Sequence, residues 1–314
     1  MTTPDKRPNV ILFFTDQQRH DASSLHGNPL DLMPNFDRLA THGTHVYNSF
    51  TCAPVCGPAR ACLQTGSYIT TNGGFANGCG LPDRLPTLAD CFNDAGYHTG
   101  YIGKWHLAGK HKNELTGERG PVPKVARGGY KEWLAVEALE FSVDEYHTTL
   151  YDNDNNPVNL PGYRVDALTD AAIRFVDRNQ DNPFFLMISY IEPHHQNHVD
   201  DYPPPVGYRE KYTGKWTPPD LAALPAHATT EGNTDHPTYQ QTGGSTQNHL
   251  GGYWGMVKRL DEALGRLQDT LISLGIDDNT IVCFTSDHAC HFKTRNSEYK
   301  RSCHDNSIRV PTGL

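Results

Sequence analysis

Pro8-Asn9-Val10-Ile11-Leu12-Phe13-Phe14, followed by Thr15-Asp16-Gln17-Gln18, is the stretch from which the fold is read. A short, unbroken apolar run suits a strand buried on both faces, as in a parallel sheet. It delivers Asp16 and Gln17 at its C-terminal end, where ligands of open α/β sheets sit. Thr280-Ile281-Val282-Cys283-Phe284-Thr285 repeats the pattern far downstream and delivers Ser286-Asp287-His288. A third run, Pro183 to Ile191, ends in Glu192-Pro193-His194-His195. Helical patterns lie between these runs. Leu85 to Thr99 reads as a helix after a Pro-Thr start, ended by Gly96, and Asp166 to Val176 reads as another. Strands alternating with helices predict a layered α/β fold.

The two strand tips offer oxygen-rich pairs, Asp16 with Gln17 and Asp287 with His288. Carboxylate and amide oxygens hold hard divalent cations, and a metal that also accepts imidazole suits the second pair. One Asp after one strand is ordinarily a turn or cap residue. Two such pairs, joined by the cysteine motif described below, predict a metal centre.

Composition narrows the function classes. At 314 residues and 35.0 kDa the chain has core enough for one large domain, residues 1–314. A formal net charge of -9 and a pI near 6.0 argue against a nucleic-acid binder or a protein that docks on anionic membranes. An acidic protein still binds an anionic substrate where Lys, Arg, His and metal cluster locally. The apolar run at residues 10–14 is shorter than the roughly 7–15 residues of a signal core and the roughly 20 of a membrane span. As written the chain therefore reads as cytoplasmic, and as periplasmic where a leader has been removed. Eight cysteines at irregular spacing in a large domain read as reduced thiols.

Pro54-Val55-Cys56-Gly57-Pro58-Ala59-Arg60-Ala61-Cys62-Leu63-Gln64-Thr65-Gly66 reads as C-x-P-x-R followed by L-x-T-G. Gly103-Lys104-Trp105-His106, Pro193-His194, Ser286-Asp287-His288, then Lys300 before Ser307-Ile308-Arg309-Val310-Pro311, follow in order. This ordered set, over roughly residues 8 to 314, resembles the type I sulfatase family, the formylglycine-dependent branch of the alkaline-phosphatase-like superfamily. The resemblance implies an alkaline-phosphatase-like α/β/α sandwich with a central, mostly parallel mixed sheet. Full-length members continue beyond R-V-P into a smaller C-terminal subdomain, so the chain is expected to be truncated before it. Ala59 and Ser67 depart from the serine and arginine commonest at those motif places.

The resemblance also implies a chemistry. A formylglycine-generating enzyme would oxidise Cys56 to Cα-formylglycine, and a disulfide between Cys56 and nearby Cys52 would block that conversion. The aldehyde hydrates to a geminal diol: one hydroxyl attacks sulfur, and the other later collapses and expels sulfate. The cation would be held by Asp16, Gln17, Cys56, Asp287 and His288, with calcium first and manganese or magnesium as alternatives. Arg60 would pin the diol or a neighbouring carboxylate. Lys104 and Lys300 match the sulfate-binding lysines, His106 the base for diol collapse, and His194 the group that protonates the leaving alcohol. Of His195, His198, His291 and His304, one or two are expected to touch the substrate's sugar ring or a second anionic group, and His195 and His304 are the candidates for substrate binding. Lys110, Lys112 and Lys211 read as solvated surface lysines.

Residues 107–165 and 195–250 read as long decorating loops, and their aromatics beside polar groups suit pyranose faces. The expected substrate is therefore a sulfated carbohydrate. Two other readings stay open: a phosphonate monoester or phosphodiester hydrolase of the same superfamily, and a non-catalytic carbohydrate-binding relative.

Overall fold

The computed structural model describes residues 7–82, 85–111, 120–141, 144–197, 199–223, 246–296 and 298–314. Lys112, His198 and the 224–245 part of the second loop segment lie outside them. Seven strands form one sheet in the order β5-β4-β3-β2-β6-β1-β7. They are β1 (Asn9–Thr15), β2 (His98–Lys104), β3 (Glu132–Val136), β4 (His147–Tyr151), β5 (Pro157–Pro161), β6 (Phe184–Ser189) and β7 (Thr280–Ser286). The three apolar runs of the sequence are β1, β6 and β7, paired in parallel with Ile11 opposite Leu186 on one side and Val282 on the other.

Alternate residues of these runs feed two cores, which is why the runs are continuously apolar. Ile11, Phe13, Leu186, Ile188 and Phe284 face one core, shared with the helices Arg164–Asn179 and Thr246–Leu274. Leu12, Phe14, Phe185 and Met187 face the other, where Tyr101, Trp105 and Trp133 pack with the helices Cys56–Thr65 and Leu88–Asp94. The result is the α/β/α sandwich expected. The Leu88–Asp94 helix starts at a reciprocal Thr87–Asp90 capping box, so the Pro-Thr signal was the right one. Gly96 then turns the chain at φ +81, and His98 opens β2.

One expectation needs correcting. Residues 107–165 do not form only loops: they build β3 and the antiparallel β4–β5 hairpin on one edge of the sheet. The alternating exposure of His147–Tyr151 marks a half-buried strand, a weaker signal than an apolar run. Among the described residues no helix is long and apolar enough to cross a membrane.

Candidate active site

Because β6, β1 and β7 are adjacent and parallel, their C-terminal ends emerge side by side. Backbone bonds lock the three exits together: Asp16 N–H donates to Glu192 O at 3.2 Å, and Asp287 N–H donates to Thr15 O at 3.2 Å. Gln17 turns sharply at φ +66, which lets its N–H reach Asp287 Oδ1 at 3.0 Å. Asp16, Asp287, His288 and His194 thereby converge from positions far apart in sequence. Lys104, at the end of β2, joins them: its Nζ lies 2.8 Å from Asp16 Oδ2 and 2.9 Å from Glu140 Oε1.

Cys56 opens the Cys56–Thr65 helix, with Val55 as the extended residue before it. Its Sγ is buried and reduced, 2.9 Å from Lys300 Nζ, 3.3 Å from His288 Nε2 and 3.5 Å from Asp16 Oδ1. Burial alone would raise the thiol pKa, but Lys104, Lys300 and His288 outweigh it, so the sulfur is held well below its ordinary value. His106 lines the cavity over the same thiol, on a backbone at φ +62, and lowers the thiol pKa further. One turn along the helix, Arg60 is 1% exposed and anchors the whole assembly. It donates to Asp16 Oδ2 at 3.0 Å, to Ser189 Oγ at 2.7 Å and to Lys104 O at 3.1 Å, and its Nε lies 3.3 Å from Asp287 Oδ2.

The donor set fits a divalent cation. Asp16, Cys56, Asp287 and His288 each bring a ligand atom within 4.8 Å of the others. His288 Nδ1 is 2.9 Å from the Ala289 carbonyl, an acceptor for the Nδ1 proton, which leaves Nε2 as the nitrogen turned to the cluster. Burial and the neighbouring Asp16 push the Asp287 carboxyl up to about 6, the mark of a carboxylate short of positive charge. Asp16 itself goes the other way: burial and Cys56 oppose ionisation, but Lys104, His194 and Arg60 prevail and keep it below the usual range. Gln17 stands beside this set with its amide engaged elsewhere, Oε1 accepting from His195 N–H at 3.2 Å and Nε2 against Cys290 Sγ at 3.2 Å.

A cavity of about 150 Å³ opens over Cys56, with His106, His194, His195 and Lys300 in its wall. Lys300 Nζ is 2.9 Å from His194 Nε2, whose Nδ1 meets His195 O at 2.5 Å. Burial and the Lys300 charge lower the His194 pKa, which favours the neutral imidazole as acceptor for the ammonium. Lys104, by contrast, is fully buried beneath the cavity. Burial opposes its charge, but Asp16 and Cys56 hold the ammonium well above its ordinary value. His304 is exposed, precedes the Asp305–Ile308 turn of helix, and is not among the residues lining this cavity.

Several participants carried no motif. Glu140 binds Lys104, Ser189 binds Arg60, and Asn77 accepts from Gly57 N–H at 3.0 Å while lining the cavity. Glu140 lies beyond β3 in the region read as loop, where periodicity offers nothing to single it out. Ser189 ends a strand whose apolar run was legible, so its place beside the site could have been inferred.

Residues 8–312 match the family model for sulfatases. The chain is 33% identical over 310 residues to an ulvan-active sulfatase of Formosa agariphila, covering 97% of this chain and 55% of that protein. It is 24% identical over 367 residues to an N-acetylglucosamine-6-O-sulfatase of Bacteroides thetaiotaomicron, covering 98% of this chain and 62% of that one. A solved structure from Bacteroides fragilis that carries the name sulfatase yidJ superposes with a TM-score of 0.81 at 26% identity, covering 100% of this chain and 69% of the other. The chain thus spans little more than half the length of these curated relatives.

Proposed function

Because this chain belongs to the sulfatase family, we propose that it hydrolyses a sulfate ester on a carbohydrate, with Cys56, converted to formylglycine, as the nucleophile's source. The observation that carries this reading is the enclosure of Cys56 Sγ by Lys300 at 2.9 Å, His288 at 3.3 Å and Asp16 at 3.5 Å. A cation, an imidazole and a carboxylate around one side chain are what an attacking oxygen at that place needs. The carbohydrate preference rests on the named activities of the relatives.

This chain's residues divide the work. Lys300 and the His194 edge face the cavity and receive the nonbridging sulfate oxygens, whose negative charge grows in the transition state. The departing alcohol takes its proton from the coupled Lys300–His194 pair, in which the ammonium already donates toward His194 Nε2. His106 removes the proton from the remaining hydroxyl of the hydrated aldehyde; the C–O bond to sulfate breaks and the aldehyde re-forms. Arg60 and Lys104 keep Asp16 ionised and oriented. A divalent cation held by Asp16, Asp287 and His288, calcium first, would lower the pKa of the attacking hydroxyl.

Sulfuryl and phosphoryl centres are similar in shape, so the phosphonate monoester reading is separated by rate. Hydrolysis of carbohydrate sulfates by the wild-type chain, lost in Cys56→Ala with its folded state intact, supports the proposal. Faster turnover of phosphonate monoesters than of any sulfate ester overturns it.

A further inference from the structure

Beside the sulfate-facing residues stands a second set of buried polar side chains that this chemistry leaves unused. His195 and Tyr299 both line the cavity, and their rings stack with centroids 4.0 Å apart. Both converge on one carboxylate. Asp200 Oδ1 lies 3.0 Å from His195 Nε2 and accepts from the Tyr299 hydroxyl at 3.0 Å. Lys293 Nζ is 3.5 Å from the same oxygen and 4.4 Å above the Tyr299 ring. Asp200 is 1% exposed and sits at φ +48, a conformation that a non-glycine residue keeps only where its surroundings over-determine it. The surroundings do so: Gln196 N–H donates to Asp201 O at 2.8 Å across the return of the chain, and His249 Nε2 is 2.9 Å from Asp200 O.

His195 is held at both ring nitrogens, one of them being Nε2 on the Asp200 carboxylate. The other, Nδ1, is 3.0 Å from Oδ1 of Asn197, another residue of the cavity wall. The wall therefore combines flat aromatic surface with a fixed hydrogen-bonding edge. A pyranose has the complementary pattern, apolar C–H faces and a hydroxyl rim. The cations aimed at sulfate are elsewhere in the cavity, on Lys300, while Lys293 is held by Asp200.

We infer that Asp200 is a positioning residue that fixes His195 and Tyr299 as a leaving-group subsite, which takes the pyranose ring carrying the sulfate ester. The inference rests on the sulfatase reading of the same cavity. It adds a division of labour: Asp200 governs recognition of the sugar, not of the sulfate.

The test is calorimetric titration of the metal-loaded chain carrying Cys56→Ala. The probes are inorganic sulfate and a panel of monosaccharide sulfates that includes N-acetylglucosamine 6-sulfate. At least one panel member is expected to bind about ten-fold or more tightly than inorganic sulfate. Adding Asp200→Asn or, more gently, Tyr299→Phe is expected to remove that advantage, a loss of about ten-fold, while sulfate binding stays within about two-fold. Equal weakening of sulfate and sugar sulfate in both variants would reduce Asp200 to a structural role and overturn the inference. So would a panel in which no sugar outbinds sulfate. Failure of inorganic sulfate itself to bind is a different result, which removes the sulfatase reading on which the inference stands.

Discussion

The Lys300 ammonium lies 2.9 Å from Cys56 Sγ across 244 residues of sequence. The same nitrogen is 2.9 Å from His194 Nε2, so one cation joins the nucleophile's position to the imidazole on the leaving-group side. Lys300→Met keeps the length of the side chain and removes its charge. Losing one preorganised donor to a developing anion is expected to lower kcat by about 10²–10³-fold. Steady-state kinetics on a carbohydrate sulfate checks this, and a loss under about five-fold would place Lys300 outside the chemistry.

His194→Ala should discriminate between leaving groups. A general acid matters for a sugar hydroxyl, which leaves poorly, and little for an activated phenol. The variant is expected to lose about 10²-fold or more on a carbohydrate sulfate and only a small factor on 4-nitrophenyl sulfate. Equal losses on both would give His194 a structural role and move the acid to Lys300 alone or to His195.

Asp287 carries a sign that depends on metal. Without a cation its buried carboxyl is pushed up to about 6, so ionising it opposes folding. In chelator at neutral pH, Asp287→Asn should be at least as stable as the wild type. With calcium at about 100 times its Kd the wild type gains about 2.7 kcal/mol by linkage, and the variant gains little. Thermal melts with and without calcium, backed by elemental analysis, decide this. A variant that kept both the stabilisation and the stoichiometric metal would show that other residues are the ligands.

Asp261 gives a pH dependence remote from the cluster. Its carboxylate accepts from the N–H groups of Asn35 and Phe36 at the start of the Pro34–His42 helix, yet burial raises its pKa to about 6. The folded pKa is above the unfolded one, so between about pH 4 and 6 the folded state binds more protons and this residue's contribution to stability falls as pH rises. Across that window the wild type should lose up to about 3 kcal/mol relative to Asp261→Asn, from about 1.4 kcal/mol per pKa unit. Urea unfolding of both proteins at pH 4.5 and 7 measures the difference; parallel changes would mean that Asp261 does not titrate there.

What the sequence made legible follows from the physics of each element. β1, β6 and β7 are buried on both faces, so their apolar runs stood out, and the polar residues at their tips could be read directly as Asp16, His194 and Asp287-His288. The β4–β5 hairpin is hidden in a region that reads as loop, because half-buried strands that alternate weakly look like polar coil. Within the site, residues on motifs were named in advance, whereas Glu140 and Asp200 were not. Glu140 meets Lys104, and Asp200 meets His195 and Tyr299, through buried contacts made by chain returns that leave no periodic trace. His304, a candidate for contact with the sugar ring or a second anionic group, is exposed, with Nδ1 3.3 Å from Ser302 Oγ, and does not line the cavity over Cys56.

The claim on which the rest depends is that Cys56 is converted to formylglycine, and the mass of the peptide that contains it tests this most directly. The measurement uses protein made together with a formylglycine-generating enzyme, digested and analysed by mass spectrometry. Exchange of the thiol for an aldehyde predicts a peptide lighter by about 18 Da, with the change at Cys56 and at none of Cys52, Cys62 or Cys79. An unmodified Cys56 in protein that turns over sulfate esters would contradict the account.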